Sequence, residues 1–457
     1  MSAKSASVVG LGKLGLCLAA VLAMNDYRVT GVDVNSATID SVNKGISPIF
    51  EPGLQKIIRA NRKKLRATPD FSQILSTRVT FVVVPTPSDE SGMFSLKFVE
   101  AAMESIGREL SKKKGYHLVN LVSTVMPGSM DNFVRPLLEK TSGKICGKDF
   151  GLCYNPEFIA LGDVIKGMLE PDFILIGESD KKAGLELSKI QKQICKSSPP
   201  IERMSFANAE LAKISVNSFV TMKMSFANTL AEICERMPGG DVDRVTSAIG
   251  KDKRIGSKYL RGAQGYGGPC FPRDNIAFAT FTRIIGSQAE IALATHKVNL
   301  SQVHRVVSIL KKERILPPSR IGVLGLSYKP NTNVLEASQS LMLAKELKEL
   351  EYDVIAFDPA VSRSSREVVS TQLSCADSLE DCIGRADVCI IATPWKEFYE
   401  SKLDFSNKIV IDMWRFPSKA IHGASKYIAI GQNGDGQAKF PAEYLDDLSS
   451  GERLAAV

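Results

Sequence analysis

The feature that most constrains this chain is Gly10-x-Gly12-x-x-Gly15, set between an apolar Val8-Val9 and a helical stretch from Leu16 to Met24. It is answered by Asp33 at the end of a second strand pattern, Val29 to Val32. A strand, a glycine turn, a helix and a second strand make a βαβ unit that binds dinucleotides. The first glycine permits the tight turn, the second lets backbone approach a pyrophosphate, and the third lets helix pack on strand. Gly10, Gly12, Lys13, Leu14 and Gly15 are therefore the expected cofactor-binding turn, with the helix N-terminus facing phosphate charge. Asp33 is expected to accept both ribose hydroxyls and repel a 2′-phosphate, and no arginine follows it in Val34-Asn35-Ser36, so NAD is expected rather than NADP. A strand-end turn residue is the plainer reading of Asp33, which the glycines disfavour.

Further strand patterns at Val79 to Val84, Leu118 to Ser123, Gly151 to Tyr154 and Phe173 to Ile176 alternate with segments of helical period. Ala207 to Arg236 contains no Pro or Gly and reads as one long helix. After Leu316-Pro317-Pro318-Ser319 a partial repeat begins: Ile321-Gly322-Val323-Leu324-Gly325-Leu326 parallels the opening strand and turn, and Tyr352 to Asp358 parallels Tyr27 to Asp33. Strand patterns at Val388 to Ala392 and Ile409 to Met413 follow. The expected class is α/β, with two Rossmann-like doubly wound parallel-sheet domains joined by a long central helix. The expected divisions are 1–200 for cofactor, 201–300 for a central helical and dimerisation domain, 315–435 for a second Rossmann-like domain, and 436–457 for a tail. The polar, glycine-rich sequence from Gly431 onward is expected to be poorly ordered.

Gly265-Tyr266-Gly267-Gly268-Pro269-Cys270-Phe271-Pro272-Arg273-Asp274-Asn275 places one cysteine among glycines, beside a cation and before a helical pattern. Such surroundings raise the thiolate fraction and leave room for a substrate carbon to reach sulfur. A tight turn with Cys270 as buried filler is the alternative, since that is the commoner fate of cysteine. Nine cysteines without regular close spacing suit reduced thiols, and with no signal peptide pattern or membrane-length apolar run the cytosol is the expected location. The net charge of +8 is spread along the chain without a basic stripe interleaved with aromatics. It fits an anionic small molecule, and neither nucleic acid nor membrane is an expected partner. Only His117, His296, His304 and His422 occur, none at metal-ligand spacing, so no metal is expected.

Taken together, the motifs resemble the UDP-glucose/GDP-mannose dehydrogenase family over nearly the whole chain. They are Val84-Pro85-Thr86-Pro87, Ser123-Thr124-Val125-Met126-Pro127-Gly128, Asn155-Pro156-Glu157-Phe158, Ala209-Glu210-Leu211-Ala212-Lys213 with Asn217, the cysteine loop, and Gly325-Leu326-Ser327-Tyr328-Lys329-Pro330. The resemblance implies oxidation of the C6 hydroxyl of a nucleotide-linked hexose to a carboxylate in two NAD-dependent steps. It makes Cys270 a nucleophile forming a thiohemiacetal and then a thioester. Lys213 and Asn217, one helical turn apart, would stabilise oxyanion charge, Asp274 would orient or activate water and assist Lys213, and Glu157 aided by Thr124 would be the base of thioester hydrolysis. Thr86 and Thr124 would touch NAD. Substrate would lie over Glu157, Phe158, Lys213, Asn217, Arg254, Tyr259, Leu260, Arg261, Gly267 and Lys329, the cations suiting a pyrophosphate. Without the resemblance, the plainer reading is a solvated Lys213, a misfit Asn217, a turn-flanking Glu157 and a solvent-facing basic loop.

Several positions depart from the family pattern. The arginine usual after Lys329 is missing, its place taken by Leu335 or Glu336. Where many members have Asp-Gly-Arg, this chain has Asp412-Met413-Trp414-Arg415, and Arg415 is the expected stand-in for substrate binding. Leu161 stands where a second acid often follows Glu157, Pro269 where serine is common, and Arg273 where lysine is common. Asn-Pro-Glu-Phe is the form associated with UDP-glucose and GDP-mannose members, which makes UDP-glucose the leading substrate. GDP-mannose or another nucleotide hexose is the alternative. So is a one-step NAD-dependent alcohol or hydroxyacid dehydrogenase, which would form no thioester and would not need Cys270. The resemblance also implies a homodimer or higher homo-oligomer built on the long apolar-faced helix from Ala207 to Arg236, although the same stripe could simply join two domains.

Overall fold

The computed structural model describes residues 4–361, 373–400, 403–416, 421–433 and 440. The chain divides into two compact units, Met1–Val216 with Ile276–Gln288, and Asn217–Asn275 with Ala289–Val457.

The first unit is built on strands β1 (Ser5–Val9), β2 (Arg28–Val32), β3 (Leu65–Thr68), β4 (Val79–Val82), β5 (His117–Leu121), β6 (Phe150–Tyr154), β7 (Ile174–Glu178) and β8 (Ile201–Met204). They form one sheet in the order β3-β2-β1-β4-β5-β6-β7-β8. β4, β5 and β6 are buried along their whole length, as strands covered on both faces must be. One apolar layer gathers Leu16, Leu22, Ile58, Phe81 and Ile176 on one face, and a second gathers Val82, Ile106, Phe150, Leu152 and Phe206 on the other. Each such fully buried side chain contributes about 1.5–3 kcal/mol. The helix Lys97–Lys112 shows the matching pattern, burying Val99, Ala102, Met103, Ile106 and Leu110 at helical spacing. All pairings are parallel except β6 with β7, where Cys153 faces Glu178 and Tyr154 faces Gly177. Arg203 then holds Glu178 through two bonds, 2.6 and 3.0 Å, tying β8 to β7.

The second unit contains β9 (Arg320–Leu324), β10 (Asp353–Phe357), β11 (Ser374–Cys375), β12 (Val388–Ile391), β13 (Leu403–Asp404), β14 (Ile409–Asp412), β15 (Ile421–His422) and β16 (Lys426–Ala429). Its main sheet runs β11-β10-β9-β12-β14-β16, wholly parallel, while β13 and β15 pair separately. Both sheets reverse strand order between the first and fourth strands of their units, the doubly wound layout expected above. The internal repeat extends to hydrogen bonds. Gly10 N donates to Val32 O at 2.8 Å and Gly325 N to Phe357 O at 2.7 Å. Asp33 accepts from Leu11 N and from Asn35 N, and Asp358 accepts from Leu326 N and from Ala360 N.

The 31-residue helix Phe206–Arg236 is continuous, and the boundary between the units falls within it. The expectation of disorder from Gly431 does not hold for its first three residues. Glu235, near the helix end, accepts Gly431 N at 2.7 Å, and its carbonyl accepts the Asn433 amide at 3.2 Å. Residues 434–439 and 441–457, which include nearly all of the expected tail, lie outside the described residues. Among the described residues, no helix is long and apolar enough to cross a membrane.

Candidate active site

In the first unit the three glycines of the opening turn separate by space. A Cβ on Gly10, whose φ is +90°, would lie 2.3 Å from Val83 O, and one on Gly15 would lie 1.9 Å from Gly10 O. A Cβ on Gly12 would meet nothing within 4 Å. Gly12 caps the helix Lys13–Met24 without any side-chain bond, so the first-turn N–H groups are left for an outside acceptor. Gly12 and Lys13 are exposed and Leu14 is half-buried. An open glycine, an uncapped helix start and an acid at the next strand end fit the pyrophosphate and ribose of a dinucleotide. Asp33 already accepts Leu11 N at 2.6 Å and Asn35 N at 2.8 Å, one bond on each carboxylate oxygen. Those bonds fix its orientation and leave lone pairs for hydroxyls.

Past the ends of β4 and β5, Thr86 is buried and donates to Thr124 O at 2.8 Å, while Ser123 Oγ bonds both Val84 N and Val84 O. Thr124 itself is half-buried. The loop after β6 is pinned by Asn155, which donates to Leu175 O at 2.9 Å and accepts from the Gln191 amide. Next to it, burial pushes the Glu157 carboxyl up to about 7, with the Lys213 ammonium pulling the other way. Lys213 is buried; its Nζ donates to the backbone carbonyl of Glu157 at 2.7 Å and sits 4.6 Å from the Phe158 ring centroid. Glu210, one turn earlier in the same motif, has a role that its local sequence does not announce. Its fully buried carboxylate accepts Gly128 N at 2.7 Å and Met130 N at 2.8 Å, anchoring the segment that follows Thr124.

In the second unit Cys270 is exposed, whereas the other eight cysteines are buried or half-buried. Burial pushes the thiols of Cys17 and Cys389 up to about 12 and that of Cys195 to about 11, leaving them unreactive. The buried-filler reading of Cys270 therefore fails. Cys270 precedes the helix Phe271–Ile284, and its carbonyl accepts Asp274 N at 2.8 Å, the first bond of that helix. The helix start favours negative charge at this position. Asp274 in the first turn is buried. One carboxylate oxygen accepts the Asn217 amide at 2.6 Å, and the other accepts Arg273 Nε and Nη2 at 3.1 and 3.0 Å. The structure thus brings Asn217 of the central helix against Arg273 and Asp274 in the turn that Cys270 opens.

The glycines before Cys270 are there for close approach. A Cβ on Gly267 would lie 2.3 Å from Ala337 O, and Gly268, at φ +85°, donates to Glu336 O at 3.0 Å. The segment that lacks the family's arginine therefore lies directly against the cysteine loop. Two buried asparagines clasp the loop upstream. Asn299 bonds Tyr266 N and O at 2.7 and 3.0 Å, and Asn228 bonds Ala263 N and Gln264 O at 2.8 and 3.3 Å. Neither was read from the sequence. Asparagine within a helix is a usable signal, because its side chain prefers to bond backbone outside regular structure.

In the expected substrate loop, Arg254 is exposed and folds back onto Asp252 at 2.6 Å. Tyr259 is exposed at a φ of +61°, Leu260 is buried, and Arg261 donates to Trp414 O at 2.6 Å with its guanidinium 5.5 Å from the indole. Lys329 is half-buried. Arg415 departs from expectation. Its side chain is 4% exposed and makes a two-pronged pair with Asp243, 2.6 and 2.8 Å, and a 2.7 Å bond to Ile430 O. A guanidinium spent in this way braces the fold and is not offered to a ligand. Among the described residues no group of three or more His, Cys, Asp or Glu is placed to hold a metal ion.

Residues 4–195 match the sequence profile of the UDP-glucose/GDP-mannose dehydrogenase family, NAD binding domain, residues 207–301 match its central domain, and residues 322–418 its UDP binding domain. The chain is 35% identical over 412 residues to UDP-glucose 6-dehydrogenase AglM of Haloferax volcanii, covering 89% of this chain and 95% of the relative. It is 30% identical over 438 residues to GDP-mannose 6-dehydrogenase of Azotobacter vinelandii, covering 92% and 99%. A solved UDP-glucose dehydrogenase from the hyperthermophilic archaeon Pyrobaculum islandicum superimposes with a TM-score of 0.87 at 32% identity, covering 94% of this chain and 98% of that one.

Proposed function

Because this chain belongs to the UDP-glucose/GDP-mannose dehydrogenase family and is an NAD-dependent oxidoreductase, we propose that it oxidises C6 of a nucleotide-linked hexose, UDP-glucose foremost, from alcohol to carboxylate. The observation that carries this reading is Cys270, the exposed thiol among nine cysteines, at a helix start whose first turn holds Asp274 against Asn217. NAD bound at the Gly10–Gly15 turn supplies the hydride acceptor. The chain's own residues do the rest. Oxidation of the alcohol leaves an aldehyde, and the Cys270 thiolate adds to its carbon to give a thiohemiacetal. Loss of a second hydride, to a second NAD, gives a thioester, and water then breaks the carbon–sulfur bond, releasing the acid and returning the thiolate. Lys213 and Asn217 meet the oxyanion character of the tetrahedral species. Glu157, with Thr124, takes the proton of the attacking water. Asp274, held by Asn217 and Arg273, keeps the Asn217 amide in place.

The assignment of 1–200 to cofactor, 201–300 to the helical centre with the cysteine loop, 315–435 to the nucleotide sugar and 436–457 to a tail is part of this proposal. So are cytosolic residence, which nine cysteines without regular close spacing favour, and a homodimer. Phe219, Phe226 and Ile233 recur every seven residues along the central helix and are 58, 53 and 51% exposed, a seam suited to a second copy.

The test is NADH release from UDP-glucose and GDP-mannose, with product mass. Two NADH per UDP-glucose and a product heavier by the change from CH2OH to COOH are expected, with Cys270→Ala losing the acid product. Two NADH from GDP-mannose alone would move the assignment to that substrate. Turnover of neither, or unchanged acid formation by Cys270→Ala, would refute the proposal.

A further inference from the structure

The stretch from Lys251 to Arg261 carries Lys251, Lys253, Arg254, Lys258 and Arg261 against a single acid, Asp252, which is already chelated by Arg254. All five cations are exposed. The central helix meets this stretch with another cation. Lys223 Nζ donates to Ile255 O at 3.0 Å and Gly256 O at 3.1 Å, and among the described residues no carboxylate pairs with it. Gly256 turns the chain there at φ +70°. Five residues on, Asn228 grips Ala263 N and Gln264 O. One helix therefore fastens both feet of an arch, residues 257–262, that holds Lys258, Tyr259 and Arg261 toward solvent.

Lys223 thus adds a sixth cation at the foot of the arch. Lys223 is half-buried, and two backbone carbonyls rather than a carboxylate take its donors. An anionic ligand over the arch would meet the charge of Lys223 as well as those of Lys258 and Arg261. We propose that Lys223 is a positioning residue for the nucleotide-sugar substrate: it fixes the foot of the cationic arch so that the arch is shaped in advance for a pyrophosphate. This rests on the reading that the chain binds a nucleotide sugar. An ammonium suits the task because its three donors rotate freely to serve two adjacent carbonyls.

The experiment is calorimetric binding of UDP-glucose, GDP-mannose and UDP to wild type, Lys223→Met, Lys223→Gln and Lys223→Arg, with steady-state kinetics on whichever sugar is turned over. Expected for Met and Gln is weaker nucleotide binding by about tenfold, the scale of losing bonds to a charged group. KM for that sugar should rise in step, kcat and KM for NAD should stay level, and the midpoint of unfolding should be unchanged or higher. Arginine should restore part of the affinity. Nucleotide binding within about twofold of wild type in both neutral variants, below the loss expected for a single charged bond, overturns the proposal. So does an equal rise in KM for NAD. Wild type that binds none of the three ligands would instead overturn the nucleotide-sugar reading itself.

Discussion

Gly12→Ala and Gly15→Ala change the same two residue types three positions apart, and the structure gives them opposite consequences. Gly15 lies inside the helix Lys13–Met24, where alanine normally gains about 0.5–1 kcal/mol over glycine. Here its Cβ would stand 1.9 Å from Gly10 O, some 1.5 Å short of ordinary contact, with Val83 Cβ at 3.2 Å on the same side. Backbone cannot yield as a side-chain end can, so the helix must lift from β1. Overpacking of this kind costs about 1–3 kcal/mol and reverses the sign of the usual effect. A domain of about 150–250 residues would show this as an unfolding midpoint lower by about 2–12 °C. Gly12 has a φ of −70° and nothing within 4 Å of an added Cβ, so alanine should cost less than about 1 kcal/mol, mostly as a poorer cap. Its methyl instead occupies the space through which a pyrophosphate reaches the backbone, and NADH affinity should fall by more than about tenfold, or 1.4 kcal/mol. Thermal unfolding and NADH fluorescence titration on both variants decide the matter. A Gly12→Ala protein that binds NADH normally, or a Gly15→Ala protein as stable as wild type, would refute the reasoning.

Three further outcomes are expected. As the hydrolytic base Glu157 must be ionised, and with its carboxyl pushed up to about 7 the rate of acid release should climb about tenfold per unit below that pH and level off above it. A rapid-quench profile flat from about pH 6 to 8 would remove it from the role. Arg415→Met breaks the pair with Asp243, which is 44% exposed and can be solvated, so the loss should be about 1–2 kcal/mol, less than for a wholly buried pair. Denaturant melts should shift while KM for the sugar stays put, and the reverse pattern would return Arg415 to the substrate site. Finally, Phe226→Asp in the exposed seam should yield monomers by sedimentation, and an unchanged mass would place any interface elsewhere.

What the sequence revealed and what it hid follow from range. The Gly10–Gly15 turn, Asp33 and the repeat ending at Asp358 were legible because each is written in a short window with a fixed period. The central helix was legible because thirty residues free of Pro and Gly leave little else to form. The pairing of Arg415 was hidden because its partner Asp243 lies 172 positions away and nothing local announces it. The short edge strands β3 and β8 carry too few alternations to stand out, and the reversal of β7 depends on how the loop after β6 returns rather than on β7 itself. Cys270 lay between these extremes. Its loop was visible, but its exposure is set by packing that no short window of sequence carries.

The unbroken course of the central helix also sets how this chain can change over time. Lys213 holds the loop after β6, Asn217 the first turn of the cysteine helix, and Lys223 and Asn228 the two feet of the cationic arch, and an α-helix turns 100° and rises 1.5 Å per residue. A single residue inserted between Asn217 and Lys223 would keep every grip before it and swing every later one a quarter-turn away. Point substitutions along this stretch can be tried one at a time, but a change in its length cannot. The helix acts as a ruler whose divisions are fixed, and drift in this protein is confined to what the loops present at each mark.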